Sequence, residues 1–222
     1  KWKSFKNFSR PCSNLSFESR INVNGYVEHV NPHMKIIEYA RNKQISLERA
    51  AVELDMYYTV DIWLTEQIKA DLDTYKEHTG MIEYADMISK FVEGDKCPPL
   101  HSVFLDEAQD LSPLQWKMFF YIESKCARSY IAGDDDQTIY TFQGADPNVF
   151  INLKGEMDPQ IQSRRVPRAI HRLASSIFPQ MRKRLTKKWL PREEEGEVHT
   201  NIYFDEIDFS KGEWLILTRT NK

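Results

Sequence analysis

Between Ser102 and Asp146 an apolar run, an acidic pair, a helical pattern, a second apolar run and a second acidic cluster follow one another. Few folds accept that order. Val103-Phe104-Leu105 ends in Asp106-Glu107. Leu111, Leu114, Met118 and Tyr121 then recur at helical intervals. Tyr130-Ile131-Ala132 ends in Gly133-Asp134-Asp135-Asp136-Gln137. Two short buried strands joined by one helix predict a βαβ unit with parallel strands, hence an α/β fold. In such sheets sites lie beyond the carboxyl ends of the strands. Both acidic clusters fall there and are expected to face one pocket.

Those residue types suit one chemistry. A carboxylate at a strand end can hold Mg²⁺, which binds through one or two carboxylates plus substrate phosphates. That role fits Asp106. A second carboxylate, Glu107, can orient or deprotonate a water. A glutamine nearby, Gln109 or Gln137, can contact a terminal phosphate without adding negative charge. An isolated acidic pair would serve equally well as a helix cap. Two clusters ending two adjacent strands favour a site for nucleotide hydrolysis.

At this point the sequence resembles a known family. Asp106-Glu107-Ala108-Gln109-Asp110 looks like the Walker B motif (motif II) of the UvrD/Rep family of superfamily 1 DNA helicases. The segment from Gly133 to Ala145 looks like that family's motif III, and Ser163-Arg164-Arg165-Val166 sits where its motif IV has Asn-Tyr-Arg-Ser. The resemblance implies an incomplete P-loop NTPase (RecA-like) parallel sheet. It also implies a helical N-terminal region and the start of a second RecA-like domain. The expected organisation is a mostly helical region over 1–95, the end of a helical insertion. Part of the first RecA-like domain follows over 96–156, and the start of the second over 157–222.

By the same resemblance the cofactors are ATP and Mg²⁺, with Asp106 on the metal and Glu107 activating water. Gln137 and Arg165 contact the γ-phosphate, with Gln109 and Asp136 in the nucleotide site. Tyr140 and Phe142 stack on single-stranded DNA, as aromatic faces can without sequence preference. The family usually has Trp where Phe142 stands and Arg where Gln143 stands, so the stacking face is smaller and one cationic contact is lost. Arg164 replaces the family's usual aromatic, which leaves a one-residue register ambiguity beside Arg165. DNA, single-stranded or duplex, is the implied partner, with translocation from 3′ to 5′.

Elsewhere the chain is less specific. Lys1 to Asn31 mixes Trp2, Phe5, Phe8 and Phe17 with basic residues. This is either a strand-binding surface or, preferably, aromatics docked on the body of the protein. Helices are expected from Met34, over Leu47 to Leu54, over Val60 to His78 and over Ile82 to Phe91, with Ile62, Trp63, Ile68, Leu72 and Tyr75 on one stripe. His29 and His33 lack companions for a convincing metal site. Arg164, Arg165, Arg168, Arg172, Arg182, Lys183, Arg184, Lys187 and Lys188 fall in a stretch without acids. That run either tracks phosphates or is balanced by Glu193-Glu194-Glu195. Strands are expected over Gln160 to Gln162, Glu197 to Phe204 and Trp214 to Leu217.

Composition excludes several classes. Net charge is −3, so the whole chain is no basic nucleic-acid binder and any such surface is local. Cys12, Cys97 and Cys126 form no framework, which fits a reducing, cytoplasmic setting. No apolar run reaches membrane-spanning length. None of the eight glycines is followed by Lys-Ser or Lys-Thr, so no Walker A loop is present. The chain also opens without Met. The expectation is the middle of a longer helicase, with Walker A upstream and motifs V and VI downstream, that does not hydrolyse ATP on its own. Two alternatives stay open: a non-catalytic nucleic-acid-binding scaffold, and the motor part of a helicase–nuclease.

Overall fold

The computed structural model describes Phe5, Phe8, Ser9, the backbone of 19–21 and 27–29, and residues 31–181, 184–200, 202–203 and 206–217. The chain divides into two units. The first is Lys1–Gly155 with Lys183–Leu185; the second is Glu156–Arg182 with Thr186–Lys222.

The first unit begins with an antiparallel pair, β1 (Ser19–Ile21) and β2 (Val27–His29), in the register Ser19↔His29, Arg20↔Glu28 and Ile21↔Val27. No strand is expected over these residues from the aromatic and basic pattern of Lys1 to Asn31. Asn24-Gly25 between Val23 and Tyr26 is a hairpin signal.

Four helices follow, each started by its own sequence. Asn31 caps α1 (Pro32–Lys43), accepting from the backbone N–H of His33 at 2.9 Å, with Pro32 in the first turn. Ser46 caps α2 (Leu47–Glu53) and Asp61 caps α3 (Ile62–Thr79), which stops at Gly80 with φ +67°. In α4 (Tyr84–Glu93) the Asp86 carboxylate accepts from Glu83 N–H at 2.9 Å.

The predicted helices are all present, displaced by a turn or less. One residue is corrected: Trp63 is exposed, not part of the inward stripe. The buried positions of α3 are Thr65, Ile68, Leu72, Tyr75 and Lys76, and Trp63 lies about 200° from Thr65 around the helix.

α1 stands between two cores. Met34 and Ile37 pack with Ile68, Leu72, Tyr75 and Phe5, while Ile36 and Ala40 pack with Ala50, Ala51 and Val60. Phe5 is therefore docked on the body, as the preferred reading had it. Phe8 contacts Tyr75 and His78 while staying half-exposed, and Ser9 is hydrogen-bonded to Asp71. Trp2 and Phe17 lie outside the described residues.

Charge closes the other side of the bundle. Arg41 reaches Asp73 at 2.5 Å and Glu83 at 2.6 Å, and Lys76 reaches Glu83 at 2.6 Å and Asp86 at 2.7 Å. His33, also buried, has Nδ1 at 2.7 Å from the Thr65 hydroxyl, which itself donates to Asp61 C=O at 2.8 Å. The hydroxyl proton is thus committed, so Nδ1–H of the imidazole is the donor.

The βαβ unit completes this half. β3 (Leu100–Leu105), α5 (Pro113–Glu123) and β4 (Cys126–Ile131) follow in order, and β3 pairs with β4 in parallel, Phe104 opposite Tyr130 and Leu105 opposite Ile131. A reciprocal capping box between Ser112 and Gln115 starts α5. Ala108, Trp116 and Phe119 form the core here, covered by Val103, Leu105, Ile131, Val149, Phe150 and Leu153. The fold is α/β: helices with a two-stranded parallel sheet. Val149 and Phe150 come from a short helix, α6 (Pro147–Ile151).

In the second unit the strand expectations are corrected. Gln160–Gln162 is reduced to one parallel bridge, Gln162↔Leu190. The described parts of Glu197–Phe204, and Trp214–Leu217, are not strands. Apolar β-formers become strands only beside a hydrogen-bonding neighbour, and among the described residues they have none. The segment from Thr218 to Asn221 lies outside the described residues. α7 (Arg168–Ile177) is amphipathic, with Ile170, Leu173 and Ile177 exposed. Cys97 and Cys126 are free thiols. No helix among the described residues is long and apolar enough to cross a membrane.

Candidate active site

The two acidic loops leave adjacent strands and are stitched together at once. Sheet pairing continues past the strand ends: Ala132 N–H donates to Leu105 C=O at 2.7 Å, and Ala108 N–H to Ala132 C=O at 3.0 Å. Asp106 is exposed, and its Oδ1 accepts from Glu107 N–H at 2.9 Å. Glu107 adopts the left-handed conformation, φ 52° and ψ 40°. A non-glycine residue there is uncommon and mildly strained. The turn lets a 3₁₀ segment, Ala108–Asp110, start directly under the strand end.

Gln109 joins the loops. It is 1% exposed, and every polar atom of its amide is used. Its Nε2 donates to Glu107 Oε2 at 2.8 Å and to Asp110 Oδ2 at 3.4 Å, and its Oε1 accepts from Asp134 N–H at 2.9 Å. Gly133 makes room for this. A Cβ at that position would lie 2.7 Å from Gln109 Oε1 and 3.0 Å from the Phe150 ring.

The second loop is organised around its own acids. Asp134 accepts from Asp136 N–H at 3.2 Å and from Gln137 Nε2 at 2.7 Å. Asp135 is buried and accepts from Leu185 N–H at 2.6 Å. Asp136 is held by Arg184, whose Nε and Nη2 each lie 2.8 Å from one carboxylate oxygen.

Asp110 extends the connection to the aromatic end. Its Oδ1 accepts from Ile139 N–H at 3.4 Å, and it also accepts from Tyr140 N–H. Burial pushes its carboxyl above the ordinary aspartate range despite those bonds. The Tyr140 and Phe142 rings lie 6.2 Å apart, and Phe142 is 61% exposed. The segment then closes at Gly144, φ +99°, where a side chain would press on Asn42 and Lys43 of α1. Asn42 Nδ2 donates to Gln143 C=O at 3.3 Å.

Arg164, Arg165 and Arg168 belong to the second unit. Ser163 Oγ accepts from Arg165 N–H at 3.3 Å and Val166 N–H at 3.0 Å, forming a tight turn that leaves all three arginines exposed. Arg164 and Arg168, with Gln162, Leu190 and Arg192, line an open cavity of about 580 Å³; Arg165 is not part of its lining. The basic run is partly balanced, as Arg172 pairs with Glu195.

The structure thus brings together Asp106, Glu107, Gln109, Asp136, Gln137, Tyr140 and Phe142 in one unit, with Arg164, Arg165 and Arg168 in the other. Asp110 stands in the acidic set that the sequence singles out, but its bonds to the Ile139 and Tyr140 backbone and the Arg184–Asp136 pair were not expected. Asp110 was visible as the last letter of motif II; Arg184 was one cation among nine and carried no distinguishing signal.

The UvrD/REP helicase N-terminal domain matches residues 28–158 of the chain, and both acidic loops and the aromatic pair fall within that match. The chain belongs to the UvrD/REP helicase family. DNA helicase II of Haemophilus influenzae is 26% identical over 149 residues, 61% of this chain and 20% of that protein. The putative ATP-dependent DNA helicase YjcD of Bacillus subtilis is 35% identical over 52 residues, 23% of this chain and 7% of that protein. ATP-dependent DNA helicase Rep of Buchnera aphidicola is 38% identical over 52 residues, 23% of this chain and 8% of that protein. These matches span a fifth or less of the length of each curated relative.

Proposed function

We propose that this chain is the central part of an ATP-dependent DNA helicase that moves along single-stranded DNA, from 3′ to 5′, on a RecA-like frame. The observation that carries it is the Gln109 bridge: one buried amide ties a strand-end Asp-Glu pair to a second acidic loop that leads to the exposed ring of Phe142. A scaffold that never met a nucleotide would have no use for a strained, exposed glutamate beside an exposed aspartate.

Mg²⁺ and ATP fit the residues present in part. Among the described residues no three His, Cys, Asp or Glu converge as a metal cage. Mg²⁺ does not need one, since it takes one or two carboxylates and otherwise binds phosphate and water. Asp106, exposed at the strand end, would hold it. Bound ATP and Mg²⁺ supply a phosphoryl group with its charge partly neutralised.

Glu107 receives Gln109 Nε2 on Oε2, which fixes the carboxylate plane and leaves Oε1 to accept a proton from water. Gln137 carries an amide that can exchange its bond to Asp134 for one to a phosphate oxygen. Asp110 holds the backbone at Ile139 and Tyr140, so a shift of the Glu107–Asp110 turn is delivered to the aromatic pair four residues or fewer away. Tyr140 and Phe142 would stack on bases, and Arg164 and Arg168 would meet phosphates. Arg165 would stabilise charge developing on the γ-phosphate.

Labelled single-stranded DNA titrated over a salt series tests the strand path. The expected result is affinity that falls steeply with salt and drops about five- to a hundredfold in Phe142→Ala, the range for one base–aromatic stack. Equal binding by wild type and Phe142→Ala sinks the stacking assignment.

A further inference from the structure

Three consecutive carboxylates, Asp134, Asp135 and Asp136, sit in one turn; Asp135 is buried, and the Asp136 side chain is only 5% exposed. Like charges so close repel, and burial increases the cost. The first unit meets this with a segment far away in sequence. Residues Lys183–Leu185 belong to that unit although their neighbours on both sides do not.

Arg184 grips Asp136 with both prongs of its guanidinium, at 2.8 Å each, with side chains 21% and 5% exposed. Beside it the Leu185 amide donates to Asp135. A bidentate arginine fixes a carboxylate in plane and direction, which a lysine cannot do. Asp136 passes the constraint on: its amide is held by Asp134, and Asp134 holds the amide of Gln137.

We propose that Arg184 is a positioning residue for Gln137. It acts through Asp136 and Asp134, and sets the side chain that meets the terminal phosphate without touching nucleotide itself. The inference rests on the hydrolysis reading above and adds to it a residue outside the recognised motifs. It makes the segment after motif IV a component of the phosphate-sensing loop.

Two measurements test it together. Amide exchange at Asp136, Gln137 and Thr138 is followed in the 222-residue chain. The kcat and KM for ATP are measured in the polypeptide that joins this chain to a phosphate loop. Arg184→Ala is expected to speed exchange at those amides and to lower kcat, each about tenfold to a hundredfold, as for a lost charge-assisted hydrogen bond. KM changes less than threefold. Arg184→Lys falls between, and millimolar guanidinium restores part of the kcat of Arg184→Ala where equal sodium chloride does not.

An active wild type with Arg184→Ala inside twofold of it in kcat overturns the proposal. So does loss of protection spread evenly over α3, which would make Arg184 a general prop of the unit. A wild type without ATP turnover overturns the hydrolysis reading itself, and this proposal with it.

Discussion

Glu107 shows how much one residue is asked to do. It turns the chain into the left-handed region, presents a carboxylate beyond β3 and receives the Gln109 amide. Replacing it with glutamine keeps the shape and removes the carboxylate proposed as the base. In the polypeptide that joins this chain to a phosphate loop, Glu107→Gln is expected to lower kcat for ATP by about 10²–10⁴-fold, the usual contribution of a general base. Affinity for single-stranded DNA should stay within twofold; unimpaired turnover removes Glu107 from the chemistry. Gly133 is the complementary case, a residue chosen for what it lacks. Gly133→Ala drives a methyl against the bonded Gln109 carbonyl and the Phe150 ring, so the Gln109 amide must shift and strain its bond to Asp134 N–H. A loss of about 1–3 kcal/mol in denaturant unfolding is expected, the cost of overpacking. A neutral result would mean that the bridge between the loops is loose.

At the scale of elements, α1 carries the helical region, with one face toward α3 and another toward α2. Its first turn contains a titration. Burial holds the His33 imidazole below its ordinary range, more strongly than nearby Asp61 raises it. In the unfolded chain the same histidine protonates near pH 6.5, so the unfolded state binds more protons below that point. Stability is therefore full above about pH 7 and falls as pH drops through 6.5, levelling off below the folded-state value. Replacing His33 with glutamine should flatten that part of the stability–pH curve measured by urea unfolding; an unchanged slope assigns it to other groups.

Phe5→Ala empties a fully buried position between Met34, Ile37 and Tyr75, and is expected to cost about 3–5 kcal/mol by the same assay. The helices, the parallel pair and the acidic loop ends were legible in the sequence because periodicity and strand-end acids are local signals. The second-unit strands were not. Trp214-Leu215-Ile216-Leu217 has the composition of a strand, yet its side chains are 52–83% exposed and no described neighbour pairs with it. Nor was the Arg184–Asp136 pair, which spans 48 residues and follows no spacing rule.

For the whole molecule, the fully buried side chains among the described residues all lie in the first unit, none in the second. Local stability follows buried contacts, so the two units should open independently and at different free energies. Amide exchange is the direct measurement: slow protection across Ile62–Thr79, and exchange orders of magnitude faster across Arg168–Ile177. Equal protection in both helices would contradict that ranking.

The membership of Lys183–Leu185 in the first unit has a consequence for synthesis. No single cut separates the units, because ending the chain at Gly155 leaves Asp136 without the guanidinium of Arg184. On the ribosome the first unit likewise waits for Arg184 and Leu185. At about 5–20 residues per second, roughly 2–6 s pass after Gly155 before they are made. Throughout that interval the acidic loop exists with its repulsion in place and its clasp not yet translated.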